Sequence, residues 1–132
     1  MTFLKLYLVA FIVFLLVDAV WLSLVANKFY KDNLGFLMKE TPNYIAALVF
    51  YLVFIVGLVY FVIQPGVDAQ SIGKVILGGI LFGLITYATY DLTNLATVKD
   101  WPIVVTVVDL VWGTTLSTVI SVATYYLYQL FW

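Results

Sequence analysis

Four long apolar blocks constrain this chain more than any other feature. They run roughly over residues 3–25, 43–63, 72–96 and 103–130, and the second contains no charged residue. Each has about 20 residues or more, enough to cross about 30 Å of hydrocarbon at about 1.5 Å per residue. The blocks are continuous rather than alternating, which points to spanning helices and away from a membrane barrel. Composition agrees: of 132 residues, 65% are hydrophobic and 10% charged, against about 45–50% and about 25% in soluble domains. So few polar side chains cannot cover a soluble domain of this size, and disorder needs the opposite balance. The expected fold is all-α. It is a single integral membrane domain over residues 1–132, built as a four-helix transmembrane bundle with a short interfacial helix between spans 1 and 2.

The missing residue types narrow the chemistry. The chain has no Cys and no His, which removes the usual zinc, haem and iron–sulfur ligands and the Ser–His and Cys–His nucleophile pairs. All six basic residues are Lys, and the net charge is −1. No bidentate phosphate clamp and no basic face for nucleic acid are available. The first block resumes after Asp18 and runs on to Ala26, longer than a signal-peptide core, and no clear cleavage site follows. It reads as a retained span.

The block boundaries carry helix punctuation. Thr41-Pro42 and Asp100-Trp101-Pro102 predict capped starts for the second and fourth spans, and Ser71 predicts a cap for the third. Gln64-Pro65-Gly66 predicts the end of the second span. In the connection 27–41, Phe29, Tyr30, Leu34, Leu37 and Met38 share one helical face. Lys28, Lys31, Asp32 and Lys39 lie elsewhere, which predicts a surface helix interrupted near Gly35. Trp101 suits an interface, as do Tyr125, Tyr126, Tyr128, Phe131 and Trp132 at the other end. Side A is the face with both termini and the second loop, and side B has the first and third loops. Side B carries Lys28, Lys31, Lys39 and Lys99, against Lys5, Lys74 and the terminal amine on side A. The positive-inside rule therefore places side B in the cytoplasm, by a margin of one charge.

Three carboxylates interrupt the spans: Asp18, Asp91 and Asp109. Counted from the ends of their spans, all three are expected roughly 8–11 Å inside side B. Tyr87, Asp91 and Asn94 fall on one face, with Tyr90 and the stripe Thr89, Thr93 and Thr97 beside them. On the fourth span Thr106 lies a turn before Asp109, and Gly113, Ser117 and Ser121 follow it at four-residue steps. Asp18 and Asp109 each have a tryptophan at i+3, Trp21 and Trp112. The two Asp-x-x-Trp segments sit at different places in their spans, so they do not read as an inverted repeat. An Asp at the centre of a spanning helix costs about 2.5–3.5 kcal/mol to insert, while membrane hydrogen bonds return about 0.6 kcal/mol each. A functional acidic site is therefore favoured over three residues serving only as glue. The bland reading is stronger elsewhere: packing or interface roles for the tryptophans, close helix approach for Gly79-x-x-x-Gly83, and interfacial anchoring for the lysines.

The stretch Ala88-Thr89-Tyr90-Asp91-Leu92-Thr93-Asn94-Leu95-Ala96-Thr97 has a specific look, followed as it is by Asp100-Trp101-Pro102, Thr106 and Asp109-x-x-Trp112-Gly113. With Asp18-x-x-Trp21 and Phe29-Tyr30, it resembles a family of small bacterial four-span predicted membrane proteins catalogued as a domain of unknown function. The resemblance covers nearly the whole chain. It implies a multi-pass protein, of the bacterial inner membrane, and no assigned reaction.

Three functions fit these residues. The first is proton-linked binding or translocation of a small cationic or neutral molecule at Asp18, Asp91 and Asp109, which four spans alone would do through a narrow path and a homo-oligomer more easily. The second is a membrane enzyme acting on a lipid. For it the three aspartates, with Asn94 and a threonine, offer hard oxygen ligands for a divalent ion such as Mg²⁺, Mn²⁺ or Ca²⁺. No other cofactor is expected. The third is a structural or assembly subunit whose acids receive a membrane partner's Lys or Arg. The lipid bilayer is the partner common to all three. Transport needs a wet path to both sides, the enzyme a pocket open sideways to lipid, and the partner reading an acidic groove outside the bundle.

Overall fold

The computed structural model describes residues 2–132. Four helical segments are long and apolar enough to cross a membrane: Thr2–Leu37, Tyr44–Asp68, Ile72–Thr97 and Ile103–Phe131. No strand occurs among the described residues. The protein is thus a multi-pass integral membrane protein with four spans, running alternately between side A and side B.

The first segment joins α1 (Thr2–Trp21), a π-helical turn (Leu22–Ala26), α2 (Asn27–Leu34) and a 3-10 turn (Gly35–Leu37). Its 36 residues measure about 54 Å at about 1.5 Å each, well beyond about 30 Å of hydrocarbon. Its last turns, with Lys28, Lys31 and Asp32, therefore stand past the hydrocarbon on side B. The interfacial helix is present as α2, but it continues α1 instead of forming a detached element. The π turn joins the two with helical backbone angles on both sides. Leu34 is buried with Trp101 and Val105, and Phe29 and Tyr30 pack on the same cluster. Phe36, Leu37 and Met38 are exposed. The predicted apolar face is thus divided between the bundle and the interface, and Trp101 closes the third loop from inside.

The second segment starts at Tyr44, not at Pro42. Asn43 is the cap, and its Oδ1 accepts from the Ala46 N–H at 3.1 Å. We expect Asn43→Ala to lower stability by about 0.5–2 kcal/mol, and Thr41→Ala to stay within about 0.5 kcal/mol. A melt in detergent in which the two variants behave alike would refute the assignment. The segment comprises α3 (Tyr44–Leu58), a second π turn (Val59–Ile63) and α4 (Gln64–Asp68). Pro65 does not end it, contrary to expectation. The Gln64 N–H reaches back to the Val59 carbonyl, and this wider turn gives the proline ring room on the next one. Gly66 does not end it either. A Cβ there would lie 2.1 Å from Val75 Cγ2, so its smallness serves contact with the third span. The chain turns at Gln70, whose φ is 51°, and Ser71 caps α5 (Ile72–Thr97) as predicted, accepting from Lys74 N–H at 3.1 Å.

The closest packing is between α5 and α6 (Ile103–Phe131). It depends on absent side chains: a Cβ on Gly79 would lie 3.0 Å from Thr118 Cα, and one on Gly83 would lie 2.3 Å from the Gly113 carbonyl oxygen. The apolar core fills the side-A half with Leu6, Ala10 and Phe14 of α1, Ile55, Leu58 and Val59 of the second segment, and Leu116 and Ile120 of α6. Toward side B the second segment leaves its neighbours. Residues 44–50 are exposed but for Ala47, which is half-buried, while Phe54 is buried and meets Phe82 at 5.4 Å and Tyr87 at 6.4 Å between ring centroids. The second and third spans therefore touch at mid-membrane and part toward side B.

Candidate functional site

The three intramembrane aspartates all turn inward, with exposures of 9% for Asp18, 0% for Asp91 and 6% for Asp109. They do not share one depth. Trp21 and Trp112 stack face to face, with centroids 4.2 Å apart and planes 8° apart. The first and fourth spans run in opposite directions, so this stack fixes their register. Asp18 and Asp109 each precede their tryptophan by three residues, and so lie on opposite sides of the stack, about 9 Å apart along the membrane normal. The two tryptophans pack on each other beside a shallow apolar groove formed with Val17, Val20, Leu24 and Val25.

Each acid has its own company. Asp18 accepts a hydrogen bond from the Tyr51 hydroxyl at 2.9 Å. Asp109 accepts one from the Tyr30 hydroxyl of α2. Asp109 also neighbours the Asp91 carboxyl. No donor among the described residues reaches either oxygen of Asp91. A carboxylate can only accept, so two carboxyls bond to each other only when one carries a proton. Tyr87 stands between the two groups, in electrostatic reach of Asp18, Asp91, Asp109 and Tyr51. Gly113 makes space for its ring: a Cβ there would be 2.1 Å from Tyr87 Cγ.

The other residues singled out in the sequence have supporting places. Thr106 is buried and donates to the Asp91 backbone carbonyl at 3.3 Å, while Trp101 Nε1 donates to its hydroxyl at 3.0 Å. Trp101 also meets the Tyr90 ring edge-on at 5.8 Å. Asn94 neighbours the Tyr90 hydroxyl. Thr93 is exposed and its hydroxyl bonds back to the Thr89 and Tyr90 carbonyls, so it stays on its own helix. Thr89 and Thr97 do the same. The three aspartates do not converge on one point, and no group of three or more acidic side chains among the described residues is placed to hold a metal ion. The hard-ion site expected at Asp18, Asp91 and Asp109 is not formed, because the tryptophan stack sets Asp18 apart and Tyr51 occupies it.

Beside the paired acids is a cavity of about 330 Å³ lined by Phe50, Thr86, Tyr87, Tyr90 and Asp109. Its outer walls, Phe50 and Tyr90, are 50% and 57% exposed, so it opens sideways where the second and third spans part. The Phe54 contacts close it below. One carboxyl among three aromatic rings suits a positively charged organic group, which the ring faces and the carboxylate both attract. Four participants were not expected at the acidic site from the sequence. Tyr51 and Phe50 lie in a charge-free span, Thr86 lies away from the acidic face, and Tyr30 read as part of a surface helix. Finding Tyr30 required the length of the first helix, which sets it opposite the side-B end of the fourth span.

No curated protein and no solved structure matches the chain. Its sequence from residue 3 to residue 126 matches a family described as "Predicted membrane protein (DUF2177)". The arrangement of four spans around inward-turned acids is therefore that of a member, and the chain belongs to the DUF2177 family of predicted membrane proteins.

Proposed function

We propose that the protein binds an organic ammonium ion in the side-B cavity in exchange for a proton. The observation that carries this reading is Asp109 in the wall of an aromatic-lined cavity, with the Asp91 carboxyl beside it. Two ionised carboxyls side by side in a medium of low dielectric repel strongly. One proton between them removes that repulsion, and a cation at Asp109 does the same. Binding the cation therefore releases the proton. The absence of Arg and His, and of any Lys in the cavity wall, favours a cation over an anion. The reading concerns capture on side B. Passage to side A would have to open the layer of Phe14, Ile55 and Leu116.

The other two readings fit less well. The metal-assisted reading has less support, because the acids fall into a pair and a single residue and no group of three or more among the described residues is placed around one ion. A partner's cation received in an outer groove needs acids facing lipid, and these are turned inward.

Calorimetric titration of the purified protein in nanodiscs with butyltrimethylammonium tests the proposal. That ion has a permanent charge and no proton of its own. Repeating the titration in buffers of different ionisation heat counts the protons exchanged. One proton should leave per cation bound, affinity should rise by about tenfold per pH unit while the pair is protonated, and Asp109→Asn should weaken binding by about tenfold to a hundredfold. Binding without proton release, or no binding at all, would sink the proposal.

A further inference from the structure

We infer that the ammonium ion taken by this cavity carries a hydrocarbon tail, and that it enters from the bilayer between the second and third spans. This rests on the ammonium reading above and adds the substrate class and the route. The cavity is small: about 330 Å³ lies near the lower end of the range of small-molecule pockets, about 300–1,000 Å³. That is room for a head group with a few carbons. What lies beyond is lipid, not water. Phe50 and Tyr90 form the rim and are both more than half or half exposed. Tyr44, Ile45, Leu48 and Val49 continue the second span above the rim and are also exposed. These residues lie in a spanning segment, so the surface they offer is hydrocarbon.

The cleft has a definite shape. It is pinned at its inner end by Phe54 against Phe82 and by the Gly57 backbone, where an added Cβ would lie 3.0 Å from Phe82 Cζ. It widens from there to side B. Its polar end is one carboxyl, and its wall includes no Lys. A head group that carried phosphate beside its ammonium would find nothing there to neutralise it. The occupant that fits is a single-headed cationic amphiphile: ammonium over Asp109 among Tyr87, Tyr90 and Phe50, with the tail passing out over Phe50 into the leaflet. A tail in that position leaves one hydrocarbon environment for another, so its length adds little to affinity and meets no wall.

Native mass spectrometry of the protein released from micelles tests this, with octadecyltrimethylammonium, butyltrimethylammonium and octadecanol as probes. The expected result is retention of one molecule of either cation and none of the alcohol. Asp109→Asn should reduce retention of both cations by about tenfold to a hundredfold, as for loss of a hydrogen bond or contact with a charged group. Thr86→Phe should reduce it as well. The Thr86 hydroxyl bonds only to the Phe82 and Gly83 carbonyls of its own helix, so this variant fills the cavity and leaves contacts between helices in place, which a melt verifies. Retention of the butyl compound with exclusion of the octadecyl one would overturn the tail and the route and leave the ammonium reading standing. Retention of neither would overturn both. Equal retention of the octadecyl compound by the wild type, Asp109→Asn and Thr86→Phe would mean attachment to the outer surface and would overturn the inference.

Discussion

Gly83→Leu is expected to cost about 3 kcal/mol or more of stability, the upper end for overpacking a well-filled interior. The first atom of the new side chain is already excluded. A Cβ at Gly83 would lie 2.3 Å from the Gly113 carbonyl oxygen, 2.9 Å from the Gly113 carbonyl carbon and 2.8 Å from Ser117 Oγ. Two of these three neighbours are backbone, so no rotamer change relieves the clash and the third and fourth spans must separate. Separation also draws the Tyr87 ring away from Gly113, so the acidic site is lost along with the packing. A melt in detergent should fall by about 10 °C or more. Gly73→Leu is the control. It lies on the same helix near its start, where an added Cβ would meet only Ser71 Oγ at 3.9 Å, and its melt should stay near that of the wild type. Equal melting of the two variants would mean that Gly83 faces lipid and that the described contact between the spans is wrong.

The parts of this molecule that the sequence made legible are those set by water and lipid. The number of spans follows from apolar length, and the start of the third follows from Ser71, which acts within a single turn, whereas the fourth begins at Ile103 after Pro102 with no side-chain cap, contrary to the capped start expected there. The close approach at Gly79 and Gly83 was legible for a similar reason: two glycines one turn apart remove the same strip of surface. Features that depend on two spans meeting were hidden. A depth counted along each helix separately put Asp18 level with Asp109, but register belongs to a pair of helices, and the stack of Trp21 on Trp112 displaces one acid from the other. The Asp-x-x-Trp segments were visible as a pattern, yet their joint effect appears only when the helices run antiparallel. Tyr51 was hidden because a tyrosine in an apolar span has the same sequence context whether its hydroxyl finds Asp18 or the membrane surface. Pro65 misled for a local reason. A proline ends an α-helix but is accommodated after a π turn, and no residue in Val59–Ile63 announces that turn.

Asp91→Asn should uncouple cation binding from the proton while leaving the bundle folded. The amide has the size of the carboxyl and can donate to Asp109 without carrying a titratable proton. The buried position is therefore filled and Asp109 keeps a hydrogen-bonding neighbour, so the melt should change by less than about 1.5 kcal/mol, as for other volume-conserving changes. Proton release should change far more. In the wild type one proton is expected to leave as butyltrimethylammonium binds. In the variant the release should drop to near zero, and the rise of affinity with pH should vanish with it. Replacing Lys28, Lys31, Lys39 or Lys99 by Gln should do neither, because these residues lie outside the cavity wall, and surface changes of this kind stay within about 0.5 kcal/mol. Unchanged proton release in Asp91→Asn, or an equal effect from a lysine variant, would remove Asp91 from the exchange. The contrast also separates a working pair from a merely cohesive one. If Asp91 only held the helices together, an amide that bonds to Asp109 would serve as well as the acid, and nothing about the proton would depend on which of the two was there.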